Sequence, residues 1–380
     1  MTTNNEELNE IIEVSKKFAA REIRAGVLEA DLASDTQWVK SLWTRSREIG
    51  LPGLIVPEEA GGVGQSVLCS ALVLDVLASE CAGLASVFAH HFAGCLSLDL
   101  ASSDQKKRYL APLADLEREE AALATVVFPS RDESEPLCLE KKKGKLRLSG
   151  TSPILGNVAF ATHFIVFAAE DRGGEAVTCV ILEKGTPGLA PGEPAGLPGL
   201  KVNPFGPVAF KEVEIGEEMI LGGRGRAAEM MGKVKDHFNS YLAAMAMGAA
   251  RSAYQKAFGY AQERFQYGDY IINHQEIRRL LGAMLQKLRV GTAAYLRIFD
   301  FQDLRLPCSL PDPGLAKAYC TDSALEIAFD AIQIHGGYGY MHEYGVEKTM
   351  RDVKVLGLIG GSSPQVHIEA TAREISSHGR

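Results

Sequence analysis

The chain is short of close cysteine pairs. Its seven cysteines, Cys69, Cys81, Cys95, Cys138, Cys179, Cys308 and Cys320, form no C-x-x-C spacing. An odd, scattered count predicts reduced core thiols rather than a disulfide framework, and no metal site is expected. Positive charge is also in deficit: 40 Lys and Arg stand against 48 Asp and Glu, a formal net charge of −8. That balance argues against a nucleic-acid partner. The near-apolar runs, such as Tyr241 to Ala250, read as too short to span a bilayer. The acidic start MTTNNEELNEIIEV has the character of neither a secretory leader nor an Arg-rich transit peptide. The closing SSHGR carries no lipidation or peroxisomal address. A cytoplasmic protein without membrane insertion is expected.

What is present is enough apolar material for a large core: 46% of 380 residues. That length suggests two or three domains or one composite unit. Three regions differ in texture. Residues 1–120 read as helical, with Leu8, Ile11, Ile12, Phe18 and Ala19 at helical spacing, a Pro- and Gly-rich loop at 51–66, and Ser102 or Ser103 placed to cap a short helix. Residues 121–222 carry strand-like runs, LATVVF, KLRLSG, HFIVFAA, AVTCVILEK and PVAFKEVEI, separated by turn signals. Residues 223–380 are helical again. Ile277, Leu280, Leu281, Met284, Leu285 and Leu288 form an apolar stripe, and Gly336-Gly337 ends another helix. The predicted fold class is α+β: a helical domain, a small middle β-barrel or sheet, and a C-terminal four-helix-bundle domain.

Several segments in this order resemble the acyl-CoA dehydrogenase family: GLPGLIVPEEAGGVGQS (50–66), DQKKRYLAPL (104–113), PVAFKEVEIGEEMILG (207–222), AQERFQYGDYIINHQ (261–275) and, most specifically, QIHGGYGYMHEYGVEKTMRD (333–352). The resemblance covers nearly the whole chain. It implies an oxidoreductase with FAD at a subunit interface, an acyl-CoA substrate, a tetrameric assembly and an electron-transfer flavoprotein as electron acceptor. A pyrophosphate wants a cation and close backbone donors. Arg264 falls where the family meets it, with Tyr267 and Gln275 beside it. Gln333, Gly336 and Gly337 match the stretch that touches the neighbouring subunit's cofactor, and Ser362 and Gln365 fall at further cofactor positions.

The resemblance breaks where the chemistry is expected. The family's proton-abstracting carboxylate follows the RD of its last motif. Here RDVKVLGLIGGSSPQ puts that position on Gly360, or on Gly361 with one residue inserted. Isovaleryl-CoA dehydrogenases carry the acid on an earlier helix, a position that falls on Phe238, beside Asn239 where members carry a substrate-binding Arg. The family's TEPGAGSD-like loop is VFPSRDES (127–134). Its flavin-stacking Trp, followed by Thr or Ser, is replaced in SPILGN (152–157) by Ile154 and then Gly156. Three explanations stay open. Asp236, His237, His90 or His91 serves as the base. The reaction is desulfinase-like and needs none. Or the chain is the non-catalytic partner of a base-containing homologue in a heteromer.

Overall fold

The computed structural model describes residues 5–98, 101–115, 122–129, 135–170, 176–300 and 312–378. Six helices open the chain: α1 (Asn5–Phe18), α2 (Val27–Ala33), α3 (Thr36–Ser46), α4 (Val67–Leu98), α5 (Ser103–Gln105) and α6 (Ala111–Ala114). Ser102 is the cap at α5, in a capping box with Gln105. The sequence expectation about apolar runs needs correction. α4 is long and apolar enough to cross a membrane by length and composition. Most of its residues are nevertheless buried among the other elements, as in a core helix. It is kinked at Cys81, whose backbone is extended.

Strands β1 (Ala124–Val127), β2 (Cys138–Lys142), β3 (Lys145–Thr151), β4 (His163–Ala169), β5 (Val177–Glu183), β6 (Leu189–Pro191), β7 (Val208–Ile215) and β8 (Ile220–Leu221) form one sheet. Its order is β6-β7-β3-β2-β4-β5-β8, with β1 added parallel to β4. β4 is buried on both faces, which is why its sequence reads as an unbroken apolar run. β2, CLEKK, has no such run and escaped the sequence reading; it is held by antiparallel pairing to β3.

A long helix, α7 (Ala228–Glu263), follows. Next come the two-residue strands β9 (Phe265–Gln266) and β10 (Asp269–Tyr270), then α8 (Gln275–Asp300), α9 (Pro313–His335), α10 (Val346–Leu356) and α11 (Ser363–His378). α7 is buried continuously from Phe238 to Ala250. α4 presses closely against it: a Cβ at Gly248 would lie 2.1 Å from the Asp75 carbonyl oxygen, so only glycine fits. Asp75 pairs with Arg251 of α7 and accepts the Tyr295 hydroxyl of α8 at 2.9 Å. The six described cysteines are buried thiols outside any disulfide, and burial pushes Cys69 and Cys320 up to about 12. Cys308 lies outside the described residues.

Candidate functional site

A cavity of about 720 Å³ opens where the sheet, α4, α7 and α11 meet. Val126 and Phe128 at the end of β1, with Pro153, Ile154 and Leu155 from the β3–β4 connection, give it an apolar wall. Met231, Lys235 and Phe238 of α7 line another side. The turn Leu358–Ser362, between α10 and α11, and then Gln365 and Glu369 of α11 complete it. Ile154, where the resemblance places an aromatic, is 54% exposed. The segment SRDES (130–134) lies outside the described residues.

The floor is a buried hydrogen-bond network that the sequence did not reveal. His90 of α4 donates from Nδ1 to the Ser86 carbonyl at 2.7 Å, and its Nε2 accepts the Gly156 N–H at 3.2 Å. Both ring nitrogens are committed to a neutral imidazole. Burial pushes its pKa down to about 4. Gly156 is required there, because a Cβ would come within 2.7 Å of the His90 ring. Asn203 accepts the Asn157 N–H and donates to Ser86, so two loops are sewn to α4. His91 points away from the cavity, bonded at Nε2 to the Pro52 carbonyl and at Nδ1 to the Ala124 N–H; burial holds it near 4 as well. Neither histidine offers a free lone pair for proton removal. Asp236 is exposed and His237 half-buried, and neither lines the cavity.

The turn carrying Gly360 and Gly361 is left-handed at both, with φ of +72° and +107°. A Cβ at Gly360 would start out toward α7, 3.1 Å from Asn239 Oδ1 and 3.5 Å from Leu242. Asn239 is buried, and its Oδ1 has no hydrogen-bond donor among the described residues. Lys317 of α9, fully buried, holds the turn from beneath with bonds to the Gly357 carbonyl at 2.9 Å and the Gly361 carbonyl at 2.5 Å. Burial lowers its ammonium to about 8. Asp322, one turn on, accepts the Ser363 hydroxyl at 3.0 Å. The only carboxylate lining the cavity among the described residues is Glu369. It sits 3.3 Å from Lys235 Nζ and accepts Gln365 Nε2 at 3.4 Å. Sequence reading missed it, although Gln365 and Glu369 are spaced to share a helix face with the glycine turn just before them.

The remaining sequence-predicted cofactor residues gather elsewhere. Arg264 caps the C-terminus of α7, its guanidinium 5.5 Å from the Tyr338 ring centroid, and has no carboxylate partner among the described residues. Tyr267 is 95% exposed at the tip of the β9–β10 hairpin. Gln275 and Gln333 are exposed, and Gly336 and Gly337 have open space where a side chain would be. Tyr260 and Tyr344 pack around Tyr338. This group lies 26 residues along α7 from Phe238, roughly 39 Å at the helical rise. The structure thus brings Ser362, Gln365, Phe238 and Gly360 together and sets Arg264, Tyr267, Gln275, Gln333, Gly336 and Gly337 apart.

Two family models match the chain, together over more than half of it: "Acyl-CoA dehydrogenase, N-terminal domain" over residues 5–117 and "Acyl-CoA dehydrogenase, C-terminal domain" over 237–376. An acyl-CoA dehydrogenase of Bacillus subtilis (strain 168) is 29% identical over 355 residues, 92% of this chain and 92% of its own. Cyclohex-1-ene-1-carbonyl-CoA dehydrogenase of Syntrophus aciditrophicus (strain SB) is 28% identical over 389 aligned positions, covering 99% of this chain and 91% of its own. The solved structure of butyryl-CoA dehydrogenase from Megasphaera elsdenii superposes with a TM-score of 0.88, over 99% of this chain and 100% of that one, at 24% identity.

Proposed function

Because the chain belongs to the acyl-CoA dehydrogenase family, we propose that it is an FAD-binding oxidoreductase that takes an acyl-CoA thioester into the cavity beside Gly360, with each flavin shared between two copies. The observation that carries this reading is the separation along α7. The cavity group and the Arg264 group are farther apart than one flavin dinucleotide reaches, so each group in a chain serves a different cofactor. The separation asks for a second copy, and a tetramer of two such pairs is the assembly that membership of the family favours.

The residues present fit FAD in these two parts. At the cavity, Phe128, Ile154 and Leu155 offer an apolar face to a planar ring, and Ser362 and Gln365 offer hydrogen-bonding groups opposite it. At the far end of α7, the Arg264 guanidinium, with no carboxylate partner among the described residues, suits a pyrophosphate, and the open backbone at Gly336-Gly337 admits a close approach. FAD bound there supplies a hydride acceptor, and an electron-transfer flavoprotein is the onward partner. The chain's own residues bind and orient the thioester and keep water from the apolar wall. The familiar base positions contribute no proton acceptor, since Gly360 has no side chain and Phe238 is a hydrocarbon.

The test is a visible spectrum of the purified chain, before and after adding FAD, followed by anaerobic titration with butyryl-CoA and octanoyl-CoA. A flavin spectrum bleached by one of them is expected. A chain that takes up no FAD overturns the reading. A flavoprotein that no acyl-CoA bleaches or binds overturns the substrate class.

A further inference from the structure

The cavity contains a carboxylate that none of the familiar positions accounts for. We infer that Glu369 is the group that removes the α-proton of the bound thioester; this rests on the acyl-CoA reading of the cavity given above. Elimination narrows the choice. Gly360 and Phe238 have no titratable atom. The His90 lone pair is taken by the Gly156 N–H. Asp236 and His237 do not line the cavity. Glu369 does, from the first turns of α11, on the same face as Gln365 and beyond the glycine turn that ends at Ser362.

The surroundings of Glu369 suit that task. One carboxylate oxygen lies 3.3 Å from Lys235 Nζ and the other 3.4 Å from Gln365 Nε2, so the side chain is steered rather than free. Both partners are long, flexible side chains that a ligand can displace. The Lys235 and Glu369 side chains are 39% and 41% exposed, so solvent screens the pair and it contributes little to stability. A purely structural role therefore leaves little for a substitution to disturb.

The step balances without an oxidant. The α C–H bond breaks and its proton passes to a Glu369 oxygen. The electron pair moves into the thioester carbonyl as an enolate, which Lys235, released from its pairing, is positioned to neutralise. In deuterated water the carboxyl exchanges its proton with solvent and returns a deuteron to the α-carbon. Proton removal is thus readable without net oxidation.

The experiment uses the FAD-reconstituted protein held anaerobic in deuterated water. It is given whichever of butyryl-CoA and octanoyl-CoA binds by calorimetry, and α-deuteration is followed by proton NMR. Wild type is expected to exchange. Glu369→Gln is expected to bind the same thioester within a few-fold while exchange falls at least about 100-fold. Glu369→Ala is expected to recover part of the rate on adding formate, a response that a structural role does not produce. Wild type that binds without exchanging, or Glu369→Gln that exchanges at the wild-type rate, overturns the assignment. Wild type that binds neither thioester overturns the acyl-CoA reading instead, and the calorimetric trace tells the two apart.

Discussion

A Cβ on Gly360 would stand 3.1 Å from Asn239 Oδ1, an atom with no hydrogen-bond donor among the described residues, so a side chain there meets a left-handed backbone and a crowded neighbour at once. Gly360→Ala is expected to cost about 1–2 kcal/mol for the left-handed backbone. Gly360→Glu is expected to cost more, because its chain starts out against a buried acceptor oxygen. Urea denaturation of both variants against wild type checks the order.

Acid should weaken the fold through the floor of the cavity. His90 and His91 titrate near 4 when folded, against an ordinary value of 6.5 in the unfolded chain. Between those values the unfolded state takes up protons that the folded state refuses, so stability is full above pH 6.5 and falls as pH drops toward 4. The ceiling is roughly 3 kcal/mol per imidazole. Melting temperatures from pH 7 to pH 4.5 are expected to fall steeply, and His90→Gln should show a shallower slope. Equal slopes refute the account.

Arg264 should matter to flavin and not to folding. Its guanidinium lies against Tyr338, with no carboxylate partner among the described residues. Arg264→Ala is expected to weaken FAD binding about 10- to 100-fold, the worth of one or two charge-assisted bonds. The apo-protein melting temperature should stay within a degree or two. Flavin-fluorescence titration and calorimetric melts separate the two effects.

Sharing of the cofactor predicts complementation. A chain with Arg264→Ala and a chain whose cavity is filled by Ser362→Trp should each hold little flavin alone. Co-expressed, they should form mixed assemblies in which an intact cavity meets an intact Arg264, and flavin absorbance should return. If absorbance stays absent in assemblies proven to be mixed by mass spectrometry, sharing is wrong.

Lys317 should hold the glycine turn in place. Lys317→Met removes the donor from the Gly357 and Gly361 carbonyls. A loss of about 2 kcal/mol in urea denaturation is expected, together with weaker acyl-CoA binding measured by calorimetry.

Much of the fold was legible because its signals are local. The apolar runs of β1, β3, β4, β5 and β7, the stripe of α8 and the Ser102 cap are each written within a dozen residues. β2 was not, since its charged residues are held by pairing to β3 rather than by burial. The length of α4 was hidden by Asp75 and Glu80, which interrupt its apolar sequence, while the chain stays helical on both sides of the kink at Cys81. The site was less legible than the fold. His90 and His91 read as acid–base candidates from residue type and from the resemblance, which puts them near the family's acyl pocket. What disqualifies them is Gly156, Ala124, Ser86 and Pro52, contacts made mostly across long stretches of chain. Glu369 carries no sequence signal of its own; the packing of α11 on α9, with Lys235 of α7 beside it, places it at the cavity.

α7 has one further consequence. It carries no proline over 36 residues and is clamped along its buried middle, so it acts as a stiff strut with a cavity wall at one end and Arg264 at the other. In an assembly that shares flavins, each strut ties two cofactor positions together. Cofactor loss and subunit dissociation then become one cooperative event, and dilution alone should bleach the protein of flavin, with free FAD reversing it.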